Sequence, residues 1–138
     1  MARTARPIGV AVLGLVLVIA PIAGFVSLAA LAFPRTPLSA LWAVNPSGRE
    51  ALEHHPVLIG IVLVVIPLAF AAGVGLLLMR SWGRRLAMTL LAVNGVGDMI
   101  AIRMDVPRGV AGVLVATALL IYLGRPKLRD AFEEEARR

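Results

Sequence analysis

Polar residues divide the chain into four long apolar runs: Ile8 to Phe33, Val57 to Met79, Leu86 to Ile102 and Val110 to Leu123. A membrane-spanning helix needs roughly 20 mostly apolar residues, with a lower limit of about 17. The first two runs reach that length outright. The third and fourth reach it when Trp82 to Arg85 and Asp105 to Gly109 count as helical ends. No period-2 alternation of apolar and polar residues occurs, so barrel strands are excluded and helices are left as the way to satisfy backbone groups in lipid. The pattern predicts an all-α chain: a four-helix transmembrane bundle with spans near 8–33, 57–79, 83–102 and 106–123, both termini on the inside and a helical outer loop. Residues 1–138 form one integral membrane domain in this reading, with 124–138 as a cytoplasmic tail.

Composition agrees. The chain has 138 residues, of which 59% are hydrophobic, and its mean hydropathy is +0.89; a soluble domain this small would expose too much apolar surface. It has no cysteine. Disulfide frameworks, thiolate metal sites and thiol-redox chemistry are therefore excluded, among them that of four-helix quinone-coupled oxidoreductases.

The net charge of +6 would suggest nucleic acid in a soluble protein, but the placement of the charges explains it otherwise. Arg3, Arg6, Arg80, Arg84, Arg85, Arg125, Lys127, Arg129, Arg137 and Arg138 lie on one side of the predicted spans. Only Arg35, Arg49, Arg103 and Arg108 lie on the other. The positive-inside rule puts both termini and the short loop around Gly83 in the cytoplasm, with the basic groups meeting anionic headgroups. The expected partner is the lipid bilayer, with no nucleic acid. Trp42, Trp82 and Tyr122 fall near predicted interfaces, where amphipathic rings prefer to sit. The first run also resembles a signal peptide, but it is about twice the usual 7 to 15 residue core. It is read as an uncleaved span.

The first outer loop carries helix signals. Thr36-Pro37 starts a short helix through Leu38, Leu41 and Trp42, ending before Asn45-Pro46. Ser47 and Glu50 have capping-box spacing and Arg49 to Glu53 an i,i+4 ion pair, predicting helical turns from Ser47 to His55. His54 and His55 are adjacent, so on a helix they point about 100° apart and do not chelate one ion together. No metal or cofactor site is expected there; titration near neutrality leaves a pH-responsive role open. Asp105 before Val106-Pro107 reads as the N-cap of the fourth helix.

Small residues at four-residue spacing, Ala20 and Gly24, Ala69 and Gly73, Ala71 and Gly75, Gly112 and Ala116, mark where helices approach closely. Pro21 and Pro67 sit near the middles of the first two spans and favour kinks.

The most specific local feature is LLAVNGVGDMIAI, Leu90 to Ile102. Asn94 and Asp98 leave the same helix face one turn apart. The seven Leu, Ile and Val residues from Leu86 to Ile102 contribute about −2 to −4 kcal/mol to insertion, against about +2.5 to +3.5 for an Asp at a helix centre. Asp98 lies only about 6 Å inside Ile102 at 1.5 Å per residue, which places it near the outer boundary. Three roles fit. In the first, Asp98 is a structural clasp to Arg103, Arg108 or the first loop, with Asn94 bonding Ser27 or Thr117. The second is an outward solute or ion site lined by Asn94, Asp98, His54 and His55. The third is a catalytic base with a histidine partner. The clasp is favoured and no catalytic residue is assigned.

The segments LWAVNP (Leu41 to Pro46), SWGRRLA (Ser81 to Ala87), NGVGD (Asn94 to Asp98), PRGVAGV (Pro107 to Val113) and YLGRPKLRDAF (Tyr122 to Phe132) together resemble, in order and spacing, a family of small four-span bacterial inner-membrane proteins without an assigned biochemical role. The resemblance runs from Leu41 onward and weakens in the first helix. It implies a four-helix protein of the bacterial inner membrane with the Asn-x-x-Gly-Asp element and the following Pro-Arg as part of its pattern, and it implies no activity. The tail reads as a helix stop at Gly124 to Pro126, then a solvated juxtamembrane helix turning acidic at Glu133 to Glu135. The expectation is a non-catalytic structural, accessory or self-associating membrane protein, its partner a second copy or another membrane protein. The alternative is a small channel or transporter with an outward site at Asp98.

Overall fold

The apolar runs fold as helices because only a helix satisfies every backbone group within the segment. The computed structural model describes residues 7–33, 35–44, 46–103 and 106–137, and among them all regular structure is helical. The elements are α1 (Ile8–Ala32), a 3-10 helix (Pro37–Val44), α2 (Pro46–His54), α3 (Pro56–Leu77), α4 (Ser81–Ala101), α5 (Val106–Gly124) and α6 (Pro126–Ala136). The expected Asp105 cap, the arginines at 3, 6 and 138, and the side chains of Ser47 and Arg108 lie outside the described residues.

The long helices pack in chain order, α1 on α3, α3 on α4 and α4 on α5. Glycines make these crossings. A methyl added at Gly73 would meet the Gly14 carbonyl oxygen at 2.8 Å, and one at Gly14 would meet the Gly73 oxygen at 3.2 Å. Between α3 and α4 the two backbones touch at Gly75 and Gly83, so a side chain at either would enter the other helix. Gly83 lies in the first turn of α4, at the start of the predicted span 83–102. Both α1 and α3 run continuously through Pro21 and Pro67.

The turn from α3 to α4 closes as a Schellman motif. Arg80 N–H donates to the Gly75 carbonyl at 2.8 Å and Met79 N–H to that of Leu76 at 3.0 Å. Met79 sits at the left-handed position, φ 51°, where glycine is usual. Its side chain is buried in the core, and that burial offsets the backbone strain of roughly 1–2 kcal/mol.

The core lies at one end of the molecule, where α1 and α4 begin and α3 and α5 end. Val10, Leu13, Ala72, Leu76, Met79, Ala87 and Leu123 form it together with Leu128 and Phe132 of α6. The tail helix is therefore not solvated all round. Its polar residues face out, but Phe132 is fully buried and Leu128 nearly so. Leucine and phenylalanine four residues apart share one face, which is how α6 closes the end of the bundle.

Elsewhere the helices show apolar side chains outward: Val12, Ile19 and Phe25 on α1, Ile61 and Val64 on α3, Val93 and Ile100 on α4, Leu114 and Ile121 on α5. Only 22% of the most apolar stretch of α1 is buried, and 11% of that of α3. Among the described residues two helices, α1 and α3, are each long and apolar enough to cross a membrane. A third crossing results if Gly109–Gly124 and Pro126–Glu135, bent by 57°, act as one span.

Candidate functional site

Two polar features stand out on this apolar frame. The first is at the end of α4 away from the core. Asn94 and Asp98 share a helix face, and the Asn94 Nδ2–H donates to Asp98 Oδ2 at 2.8 Å. The partner of Asn94 is thus on its own helix. Ser27, one of its expected partners, donates to the Ala23 carbonyl at 2.9 Å within α1.

Asp98 is positioned by α5. Gly109, Gly112 and Ala116 form a smooth stripe that lets α5 lie close to α4. A methyl at Gly109 would meet the Asp98 carbonyl oxygen at 2.8 Å, and one at Gly112 would strike the Asp98 carboxylate. One turn further in, a methyl added at Gly95 would meet the Ala116 methyl at 3.4 Å. Asp98 is half-buried by this contact while Asn94 stays exposed.

The other expected members of the cluster are placed differently. Arg103 is exposed, and no ion pair joins it to Asp98 among the described residues. His54 Nδ1–H donates to the Glu50 carbonyl at 2.8 Å inside α2. His55 is exposed at the N-cap of α3. Helix α2 rests on the 3-10 helix and α3, and within it the expected Arg49–Glu53 pair closes at 2.7 Å. Asn94 and Asp98 are brought together; the histidines make their own local arrangement. No group of three or more metal-ligating side chains occurs among the described residues.

The second feature is at the core end and was not singled out from sequence. A hollow of about 330 Å³ opens between the first turn of α4 and α6, lined by Ser81, Arg84, Arg85, Arg129, Phe132, Glu133 and Arg137. Arg84 is fixed by donating from an Nη to the Leu123 carbonyl at 3.1 Å, in the last turn of α5, where a cation is favoured. Its Nε is buried without a hydrogen-bond partner among the described residues. Arg129 pairs loosely with Glu133 at 3.5 Å and Asp130 at 3.8 Å. The signal in the sequence was the four-residue spacing of Arg129, Glu133 and Arg137, which puts them on one face of α6. At the junction of α5 and α6, the Arg125 guanidinium lies 5.8 Å from the Tyr122 ring centroid.

Comparison of the chain with family models, curated proteins and solved structures returns no match.

Proposed function

We propose that the chain is a non-catalytic multi-pass protein of the bacterial cytoplasmic membrane, crossing four times through α1, α3, α4 and α5 with both termini inside. It acts by self-association or by accompanying another membrane protein. The outward apolar side chains on all four long helices carry this reading. At 1.5 Å per residue, the 21 residues of α4 and 19 of α5 reach roughly 30 Å, the thickness of a bilayer's hydrocarbon core. The excess of arginine at the end closed by α6 supports the orientation, and the ordered motifs from LWAVNP to YLGRPKLRDAF support the bacterial setting.

The exposed Asn94 favours association over a solitary bundle. An amide on an outward face within the membrane is stabilised by a hydrogen bond to a neighbouring helix. Because the chain lacks cysteine, single cysteines report its topology and contacts. Ser39→Cys should react with an impermeant maleimide from the outer face and Ser81→Cys only in inverted vesicles; the opposite pattern overturns the orientation. Asn94→Cys should cross-link in the native membrane to a second copy or to one discrete partner, and monomer alone would remove the association.

The Asn94–Asp98 pair also favours a second reading, an outward-facing transport site. A solute or ion flux in liposomes that Asp98→Asn abolishes would establish it, and tight vesicles across many solutes would remove it.

A further inference from the structure

We propose that the hollow between the first turn of α4 and α6 binds a phosphate-bearing anion. Among the described residues, four guanidinium groups, from Arg84, Arg85, Arg129 and Arg137, line it together with the carboxylate of Glu133, and Asp130 lies loosely against Arg129 outside the lining. Such a balance in a confined space attracts an anion, and arginine's planar fork matches phosphate oxygens two at a time. A volume of about 330 Å³ lies at the small end of the roughly 300–1,000 Å³ common for ligand sites.

The backbone adds to this field. Ser81 is the first residue of a 21-residue helix whose N-cap, Arg80, makes no side-chain capping hydrogen bond and whose first turn has no acidic residue. The leading N–H groups and the positive end of the helix dipole are therefore left for an external anion. The buried, unpartnered Nε of Arg84 is an independent sign that the donors here outnumber the acceptors. Leu128 and Phe132 hold the opposite wall by anchoring α6 in the core. The site is thus built from rigid elements.

The phosphate has two sources, an anionic phospholipid headgroup or a soluble phosphate. Trp82, exposed on the same turn of α4, suits headgroup depth and favours the lipid. That preference rests on the membrane reading, whereas the hollow does not.

The test uses the full chain in neutral detergent, titrated with short-chain phosphatidic acid, short-chain phosphatidylcholine and inorganic phosphate, with calorimetry as the readout. Saturable binding of phosphatidic acid, weakened about tenfold by Arg85→Gln or Arg137→Gln, supports the site with a lipid source; a loss of this size equals about one charge-assisted hydrogen bond. The same pattern with inorganic phosphate alone supports it with a soluble source. Both variants alter exposed side chains, and thermal melts verify their folding. Lys127→Gln, on the same helix but outside the lining, should leave binding unchanged, and Glu133→Gln should tighten it. Uptake that never saturates, equal binding of phosphatidylcholine, or an equal loss in Lys127→Gln overturns the proposal, because the attraction is then an unlocalised surface potential. The titration is done without a bilayer, so its failure and a failure of the maleimide topology are separate results.

Discussion

The Asp98 carboxylate is seated on the bare backbone of Gly112, in the space that a methyl at that glycine would occupy. This contact joins the third and fourth predicted spans at their far end and fixes the acid that Asn94 bonds. Gly112→Ala should force the carboxylate aside and cost about 1–3 kcal/mol, the usual penalty of overpacking. In an Asp98→Ala background the same methyl meets less, so the penalty should shrink. A double-mutant cycle on thermal unfolding in detergent should give a coupling of about 0.5–3 kcal/mol. Additive effects would show that the two residues do not share this space.

The crossing of α3 and α4 has less freedom to adjust. At Gly75 and Gly83 the neighbouring atoms are backbone, which cannot rotate away as the Asp98 side chain can. Gly83→Ala should therefore cost more than Gly112→Ala and lower the yield of folded protein. Gly60 and Gly97 have nothing within 4 Å of an added methyl. Alanine at either should be neutral or stabilise by up to about 1 kcal/mol through helix propensity. Melting curves of the four alanine variants test the order.

How much of this the sequence revealed follows from the range of each interaction. Helix limits were legible because apolar length dictates them: the runs predicted at 57–79 and 106–123 form helices at Pro56–Leu77 and Val106–Gly124. Local pairs were legible too, as with Arg49–Glu53 and the shared face of Asn94 and Asp98. Small-residue spacing flagged Gly73, Gly75 and Gly112 without naming their partners. The sequence points Asn94 to a partner on another helix, because nothing in a one-dimensional pattern says that the Asp98 carboxylate lies against Gly112 of α5 while accepting from Asn94. The arginine hollow went unseen for the same reason, since its walls come from residues about 45 positions apart.

Arg84 reaches the Leu123 carbonyl across 39 residues and ties the start of α4 to the end of α5. Arg84→Gln should lose about 1.5–3 kcal/mol, as expected for a hydrogen bond from a charged donor. Lysine keeps the charge but not the planar fork, so Arg84→Lys should recover only part of the loss. Chemical unfolding of the three proteins decides this, and an Arg84→Lys protein as stable as the parent would show that charge alone suffices.

Phe132 is the fully buried anchor of α6 and lies beyond every predicted span. Truncating it to alanine leaves a cavity among Leu76, Leu123 and their neighbours and should cost about 3–5 kcal/mol. The long helices keep their own glycine crossings, so the loss should appear first as undocking of α6. Lys127, in the first turn of α6, is exposed and followed by Leu128, a bond that trypsin cuts. Limited trypsin digestion should cut Phe132→Ala there faster than the parent, while an exposed neighbour changed in the same helix, Glu135→Ala, should cut at the parental rate. Equal rates for the parent and Phe132→Ala would mean that α6 contributes nothing to closing the bundle, and the core would then end at Leu123.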